Sequence, residues 1–354
     1  MRLALAQAQR NLGKTSENPS VGCVITKNSY VISAASTSLK GRPHAEQNAI
    51  NFCKENLKKS QLYVTLEPCS NYGKTPPCVQ FIIDNKIDKV FFSIKDPDAR
   101  SFNRSTDKLK NKGIRVNEGL LKNKVNFFYR SYFKSKNENL PFVTYKLAIS
   151  KDFYSINTQK GKYITNKFSR DRVHLMRSNH DCIITSSDTI IKDNSKLTCR
   201  INGLEDKSPS RIILDNKLKI PLNSNIIKSA GDYKTVIFYN KTNKNKIKLL
   251  KKLNVKLYKI SLNNEGNLDI KKSLIKAKKL NFSRIFLESG IKLAKSFIKE
   301  NLVDDFKLFI SNKKLSKFGR TNVEKYLRSF LKNKKHSIEK VNLFGDKLVS
   351  YNLK

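Results

Sequence analysis

The sequence contains no apolar run approaching the length of a membrane span, so no transmembrane helix is expected. Its first residues, Met1-Arg2-Leu3-Ala4-Leu5, run into an amphipathic helix without the apolar core or small-residue cleavage site of a secretory leader. The six cysteines (Cys23, Cys53, Cys69, Cys78, Cys182 and Cys199) show no regular framework. Disulfides are therefore the weaker reading, and a reduced, cytoplasmic protein is expected. No Gly-x-Gly-x-x-Gly follows a strand candidate, which argues against the dinucleotide fingerprint of a Rossmann fold. No internal repeat is present. Acidic residues are scarce: 29 Asp and Glu stand against 71 Lys and Arg, a formal net charge of +42.

That excess of positive charge is spread along the chain, as in Lys246-Ile247-Lys248, Lys271-Lys272 and Lys278-Lys279. The same stretches are rich in Asn and Ile. A general bias toward Lys, Asn and Ile, leaving a solvated basic surface, explains this better than a dedicated nucleic-acid interface, which would concentrate the charge. No specific nucleic-acid partner is expected. A phosphorylated small molecule gains from a positive field in either case.

A length of 354 residues suggests two domains. In the first part, a helix over 2–12, a strand pair at 21–26 and 30–36, a helix over 45–57 and strands at 61–67 and 89–95 alternate. A helix opening at Pro77, another near 105–112 and a short strand at 114–116 complete that part. Residues 134–140, Lys-Ser-Lys-Asn-Glu-Asn-Leu, are polar and aperiodic before Pro141 and read as a linker. A second alternation follows, with strands near 142–149, 181–185, 211–214, 235–239, 255–260, 284–287, 306–310 and 348–351. Its helices fall near 167–178, 244–252, 270–280 and 292–300. Both parts read as α/β, with domains at 1–136 and 141–354.

The chemistry concentrates in Pro43-His44-Ala45-Glu46, Pro68-Cys69 and Pro77-Cys78. His44, Cys69 and Cys78 make three borderline-soft donors suited to zinc. Three protein donors, rather than the four of a structural site, leave one position open, as in catalytic centres. His44 and Glu46 share a site only if His44 lies at the entrance of a helix and Glu46 in its first turn. Glu46 would then move protons rather than bind metal. Cys78, following Pro76-Pro77 at a helix start, gains thiolate character there. The other four cysteines read as small buried hydrophobes.

His-x-Glu followed by Pro-Cys and Cys resembles the zinc-dependent nucleobase deaminases. Nucleic-acid editing members usually carry Cys-x-x-Cys, whereas here eight residues separate Cys69 from Cys78. The string Thr65-Leu66-Glu67-Pro68-Cys69-Ser70-Asn71-Tyr72-Gly73-Lys74-Thr75-Pro76-Pro77-Cys78 resembles the deaminase of riboflavin biosynthesis. Asn18-Pro19-Ser20-Val21-Gly22-Cys23-Val24 is similar to its N-terminal substrate loop. The likeness continues through Lys95-Asp96-Pro97-Asp98. Beyond residue 140 it extends to Pro141–Ala148, Ile184–Thr189, Leu197-Thr198-Cys199-Arg200 and Glu288-Ser289-Gly290, segments of the family's reductase part.

The resemblance to these bifunctional deaminase–reductases implies a cytidine-deaminase-like three-layer α/β/α domain. A dihydrofolate-reductase-like α/β domain would follow it. It implies one zinc ion on His44, Cys69 and Cys78, with Glu46 as catalytic proton shuttle, and NADPH in the second domain. It implies deamination of a phosphorylated pyrimidine, then reduction of its ribosyl group to ribityl, and homo-oligomers formed through the reductase domain. Asn18, Lys74, Arg177, Leu197, Arg200 and Glu288 would contact substrate. Ala148, Tyr163, Thr189, Asp193 and the run Gly290, Ile291, Lys292, Leu293, Ala294, Lys295 and Ser296 would hold the cofactor. Departures from the family pattern are Asn71, Lys74, Lys151-Asp152-Phe153, Tyr163, Asp193-Asn194-Ser195 and Ser289. Phe153 stands where the family has a Gly, and is not expected to take a positive φ. The altered turns raise the alternative of an active deaminase joined to a degraded reductase. An editing deaminase is the more distant alternative.

Overall fold

The protein is described here by a computed structural model that covers residues 1–73, 75–98, 104–159, 163–242 and 244–354. The chain forms two compact units, Met1–Leu140 and Pro141–Lys354.

The first unit contains α1 (Arg2–Gln9), β1 (Gly22–Lys27), β2 (Tyr30–Ser36), α2 (Ala45–Phe52), β3 (Gln61–Leu66), α3 (Cys78–Asp84), β4 (Lys89–Ile94), α4 (Arg104–Lys110), β5 (Arg115–Glu118) and α5 (Lys122–Asn137). Its sheet runs β2-β1-β3-β4-β5. β1 is antiparallel to both neighbours, and β3, β4 and β5 are parallel. Asn28 and Ser29, with φ of 48° and 68°, close the β1–β2 hairpin in the left-handed pair that matches strand twist. The small residues Ala4 and Ala8 let α1 lie directly on β1. A Cβ on Gly22 would stand 1.8 Å from the Ala4 carbonyl oxygen, so only glycine fits there. Cys23, Ile25, Leu62, Val64, Val90 and Phe92 form the centre of this core.

The stretch expected to be a linker is partly helical. α5 continues through Asn137, and Lys134 and Ser135 are buried. The helix is carried by an aromatic stripe, Phe128, Tyr129, Tyr132 and Phe133, packed on the core. That stripe lies before the polar residues and extends the helix into them. Conversely, α2 stops at Phe52, short of the expected Leu57, because Cys53 turns to an extended backbone with ψ of 124°.

The second unit contains β6 (Phe142–Ile149), β7 (Tyr154–Asn157), α6 (Lys167–Ser178), β8 (Cys182–Ser186), α7 (Ser187–Asp193), β9 (Ser210–Leu214), α8 (Asn225–Lys228), β10 (Thr235–Tyr239), α9 (Lys244–Lys252), β11 (Lys256–Lys259), α10 (Ile270–Lys279), β12 (Arg284–Glu288), α11 (Ile291–Lys299), β13 (Asp305–Ile310), β14 (Gly319–Asn322), α12 (Glu324–Leu331), β15 (His336–Ile338) and β16 (Lys347–Asn352). Its large sheet runs β11-β10-β9-β8-β12-β6-β13-β16-β15. The strands from β11 to β13 are parallel, and β16 and β15 add antiparallel to that edge. The chain leaves β6, builds outward through β8 to β11, and returns to insert β12 between β8 and β6. Ligands of open parallel sheets bind at the carboxyl ends of strands where the order reverses in this way.

Phe153 departs from expectation. It adopts φ of 64° in the turn between β6 and β7. Its N–H donates to the Ser150 carbonyl (3.0 Å), and its own carbonyl accepts from Val323 N–H (3.0 Å). The neighbouring Asp152 carboxylate accepts from the N–H groups of Leu315 (3.0 Å) and Ser316 (2.8 Å). These contacts to β14, α12 and the 315–316 turn impose a conformation that costs a non-glycine residue about 1–2 kcal/mol. The turn survives loss of its glycine because tertiary structure overrides local preference.

Glu339 ties the sheet edge to a helix. Its carboxylate accepts from Lys307 Nζ (2.8 Å), Ser350 Oγ (2.6 Å) and Arg172 Nη2 (2.9 Å), joining β13, β16 and α6. Burial opposes its ionisation, but the Lys307 charge and the three hydrogen bonds outweigh it and hold the carboxyl down at about 2. The stabilisation is therefore complete above the ordinary value of 4.5 and disappears as pH falls toward 2. Glu339→Gln should lower stability by about 1–3 kcal/mol at pH 7. In thermal melts the deficit should shrink between pH 5 and pH 3; a deficit independent of pH would assign it to packing instead.

Candidate active sites

In the first unit, three separate segments bring their side chains to one point. His44 is the N-cap residue of α2, with extended backbone (φ −71°, ψ 162°), and Glu46 sits in the first turn. Cys69 lies just beyond the end of β3, and Cys78 is the first residue of α3, preceded by Pro77 at the N-cap. His44 Nδ1 lies 3.3 Å from Cys78 Sγ and 3.6 Å from Cys69 Sγ, and all three donor atoms fall within 4.8 Å of one another. Zinc bonds of about 2.0–2.1 Å to nitrogen and 2.3 Å to sulfur, at a tetrahedral angle, give N···S edges of about 3.6 Å. The donor set therefore fits zinc.

The electrostatics match this geometry. The Cys78 side chain and its backbone N–H (3.3 Å) hydrogen-bond to Cys69, outweigh the effect of burial, and pull the Cys69 thiol down to about 4. The Cys78 thiol moves up, because it shares its proton with Cys69 and is buried. A zinc ion would displace that shared proton, since coordinating thiols are deprotonated outright. Burial resists a proton on His44, but its hydrogen bond to Cys69 and the charges of Glu46 and Cys69 raise its pKa. Glu46 is 4% exposed, and burial pushes its carboxyl up to about 7.

The entrance to this site is held by backbone. Asn18, expected to touch the substrate, donates from Nδ2 to the Gly41 carbonyl (2.8 Å). Gly41 has φ of 92° and is buried, and a Cβ there would stand 2.5 Å from the Thr15 carbonyl oxygen. Asn18 thus fixes the turn that delivers Arg42-Pro43-His44. Tyr129 OH donates to the Ser20 carbonyl (3.0 Å) and lies 2.6 Å from Thr65 Oγ1, which itself accepts from Gly22 N–H (3.1 Å). The 18–22 segment is therefore bound to β3. Lys74 lies outside the described residues.

In the second unit, Arg177 on α6 and Glu288 at the end of β12 form a two-pronged ion pair, Nε to Oε1 at 2.6 Å and Nη2 to Oε2 at 2.9 Å. Each side chain is 11% exposed. Burial alone would raise the Glu288 carboxyl, but the Arg177 charge lowers it. Arg177 Nη1 donates to the Thr198 carbonyl (2.9 Å), so the guanidinium also fixes the 197–200 segment. Leu197 in that segment is buried with φ of 55°, backbone strain of a kind found at binding sites. Arg200 is exposed and close enough to Arg177 and Glu288 to respond to their charges. Tyr163 is 69% exposed, with the Arg170 guanidinium 4.2 Å above its ring.

The remaining expected residues fall on β6, α7 and α11. Ala148 is on β6, partly buried against the core. Thr189 is held at the start of α7 by the Ser186 hydroxyl (3.3 Å), and Asp193 ends that helix. Gly290 is the N-cap residue of α11, whose first turns are Ile291, Lys292, Leu293, Ala294, Lys295 and Ser296. Two further residues join the group. Lys146, beside Glu288 in the β6–β12 register, feels the charges of Glu288, Arg177 and Asp193, and burial lowers its pKa. A lysine within the mostly apolar strand Phe142–Ile149 was the available sequence signal. His174 is buried, with Nδ1 3.0 Å from the Thr198 carbonyl and 3.2 Å from Arg200 N. Burial and the two arginines hold it down at about 4, so it is neutral. Its position one helical turn before Arg177 pointed to the same face of α6.

Among the described residues, no helix is long and apolar enough to cross a membrane. Residues 1–94 match the cytidine and deoxycytidylate deaminase zinc-binding region, and residues 141–342 match the RibD C-terminal domain. The riboflavin biosynthesis protein RibD of Aquifex aeolicus is 32% identical over 352 residues, 99% of this chain and 96% of that protein. The protein of the same name from Actinobacillus pleuropneumoniae is 33% identical over 314 residues, 88% and 83% of the two chains. Among solved structures, a Thermotoga maritima diaminohydroxyphosphoribosylaminopyrimidine deaminase/5-amino-6-(5-phosphoribosylamino)uracil reductase superposes with a TM-score of 0.84. It is 27% identical, over 99% of this chain and 97% of that one. Acinetobacter baumannii RibD superposes with a TM-score of 0.83 at 26% identity and the same coverage. With both units matched and relatives aligned along its length, the chain belongs to the RibD family, bifunctional deaminase–reductases of riboflavin biosynthesis.

Proposed function

We propose that His44, Cys69 and Cys78 hold the zinc and that Glu46 is the proton shuttle of the deaminase. The reading rests on one observation above all: three donor atoms from three chain segments, spaced as edges of a zinc tetrahedron. Zinc supplies Lewis acidity that makes water nucleophilic at neutral pH. Glu46 takes the proton of the attacking water and delivers protons to the ring nitrogen and the departing amine, so that ammonia leaves and a carbonyl replaces the amidine. Its buried carboxyl, with a pKa near neutrality, suits both directions of transfer. The substrate is 2,5-diamino-6-ribosylamino-4(3H)-pyrimidinone 5′-phosphate, which becomes the corresponding uracil. We place the enzyme in the cytoplasm, where its free cysteines stay reduced.

The second unit reduces the ribosyl group of that uracil to ribityl. NADPH supplies the hydride. The N–H groups opening α11 would hold the cofactor phosphate. Glu288, held by Arg177, faces the ribose hydroxyls, with Lys146 beside it. Arg200 offers a planar fork to the substrate phosphate. Phe153, in one of the turns altered from the family pattern, keeps a left-handed backbone, which supports a working reductase over a degraded one.

Three outcomes test these assignments. Glu46→Ala should keep zinc, fold and reductase activity while deamination falls by about 10²–10⁴. Zinc loss in that variant would make Glu46 a ligand. Chelation should abolish ammonia release and leave NADPH oxidation with the deaminated intermediate intact, with zinc restoring the first activity. Arg177→Met leaves Glu288 buried without its partner. It should cost about 3–5 kcal/mol of stability in the second unit and more than tenfold in reductase kcat/KM, with deamination unchanged. Full reductase activity in Arg177→Met would remove the pair from the site.

A further inference from the structure

We propose that Arg42 is a phosphate-binding residue of the deaminase site. The inference rests on the assignment of that site to a phosphorylated pyrimidine. Arg42 stands two residues before His44, on the extended segment (φ −149°, ψ 146°) that follows the buried Gly41 turn. Because Asn18 and Thr15 fix that turn, the direction in which Arg42 leaves the backbone is fixed too. Its guanidinium reaches across to the loop between Cys69 and Cys78, where Nη1 donates to Thr75 Oγ1 at 2.6 Å. Nη2 lies 3.6 Å from where a Cβ would stand on Gly73, so this edge of the fork passes beside a residue with no side chain. The arginine thus spans the two chain segments that bring in His44 and the cysteines.

Arg42 is half-buried, and among the described residues it makes no ion pair. A guanidinium has five N–H donors, and Thr75 accepts from one. Brace duty toward Thr75 needs only a single neutral donor, whereas a guanidinium is cationic and, among the described residues, the other N–H groups of Arg42 have no hydrogen-bond partner. A phosphate dianion is the ligand that uses both, because two of its oxygens match the fork. The substrate carries one such group, at the end of the molecule remote from the ring carbon that reacts. Arg42 therefore anchors the far end of the substrate while the pyrimidine lies toward Glu46.

The test compares steady-state deamination of the phosphorylated pyrimidine ribotide with that of its dephosphorylated counterpart, using zinc-loaded full-length protein. The wild type should prefer the phosphorylated compound, and ribose 5-phosphate should inhibit competitively. Arg42→Met should raise KM for the phosphorylated compound by about 10- to 100-fold. Its kcat/KM for the dephosphorylated compound should stay within about threefold of wild type, so the preference collapses. Arg42→Lys should fall between the two, and Thr75→Val, which removes only the brace, should keep the preference. Equal losses on both compounds, with the preference intact, would overturn the proposal and make Arg42 a brace. So would a wild type that does not discriminate the two compounds or is insensitive to ribose 5-phosphate, a result that needs no variant to fold. A wild type that deaminates neither compound would instead overturn the functional reading on which the proposal stands.

Discussion

The convergence of His44 Nδ1, Cys69 Sγ and Cys78 Sγ is the constraint from which the first unit is best understood. Three polarizable donors cannot be held within 4.8 Å of one another in a partly buried place unless something compensates their charge. The fold arranges that compensation through element ends. The N-cap of α2, the segment after β3 and the first residue of α3 each deliver one donor side chain to the same point, and the Cys78 N–H already stabilises negative charge on Cys69. The surrounding architecture serves that meeting point. Gly22 lets α1 close on β1, Tyr129 fastens the 18–22 segment to β3, and Gly41 with Asn18 sets the approach to His44.

The second unit is organised by charge of another kind. Arg177 and Glu288 pair through two hydrogen bonds at the carboxyl end of the parallel sheet, with Lys146 and His174 beside them. Helix α6, strand β12 and the 197–200 segment are tied to one another by a single guanidinium. The pair is nearly dry, so its members are costly to separate, and that cost gives the site a defined geometry before any ligand arrives.

Much of this was legible in the residues themselves. Strands such as Phe142–Ile149 and Thr235–Tyr239 and helix Lys167–Ser178 follow from runs of apolar residues and their periodicity. The proximity of His44 to Glu46 at a helix start follows from Pro43 and from helical geometry. Less legible were features set by distant parts of the chain. The end of α5 is polar and aperiodic, yet helical, because the aromatic stripe upstream holds it on the core. Phe153 takes a backbone angle that its own chemistry disfavours, because β14, α12 and the 315–316 turn impose it.

Residue identities and their spacing set the types of chemistry present: which residues can bind a metal, which can move a proton, and which segments alternate as strand and helix. Those properties are local, set by side-chain identity and by spacing along the chain. Which of them meet depends on the folded chain. It paired Arg177 with Glu288 across more than a hundred residues, brought Lys146 into their company, and turned Asn18 toward the Gly41 carbonyl. It also set Arg42 against the loop between the cysteines. Distances between such groups depend on sheet order and turn geometry, which arise from packing of the whole unit and have no representation in any short stretch of residues.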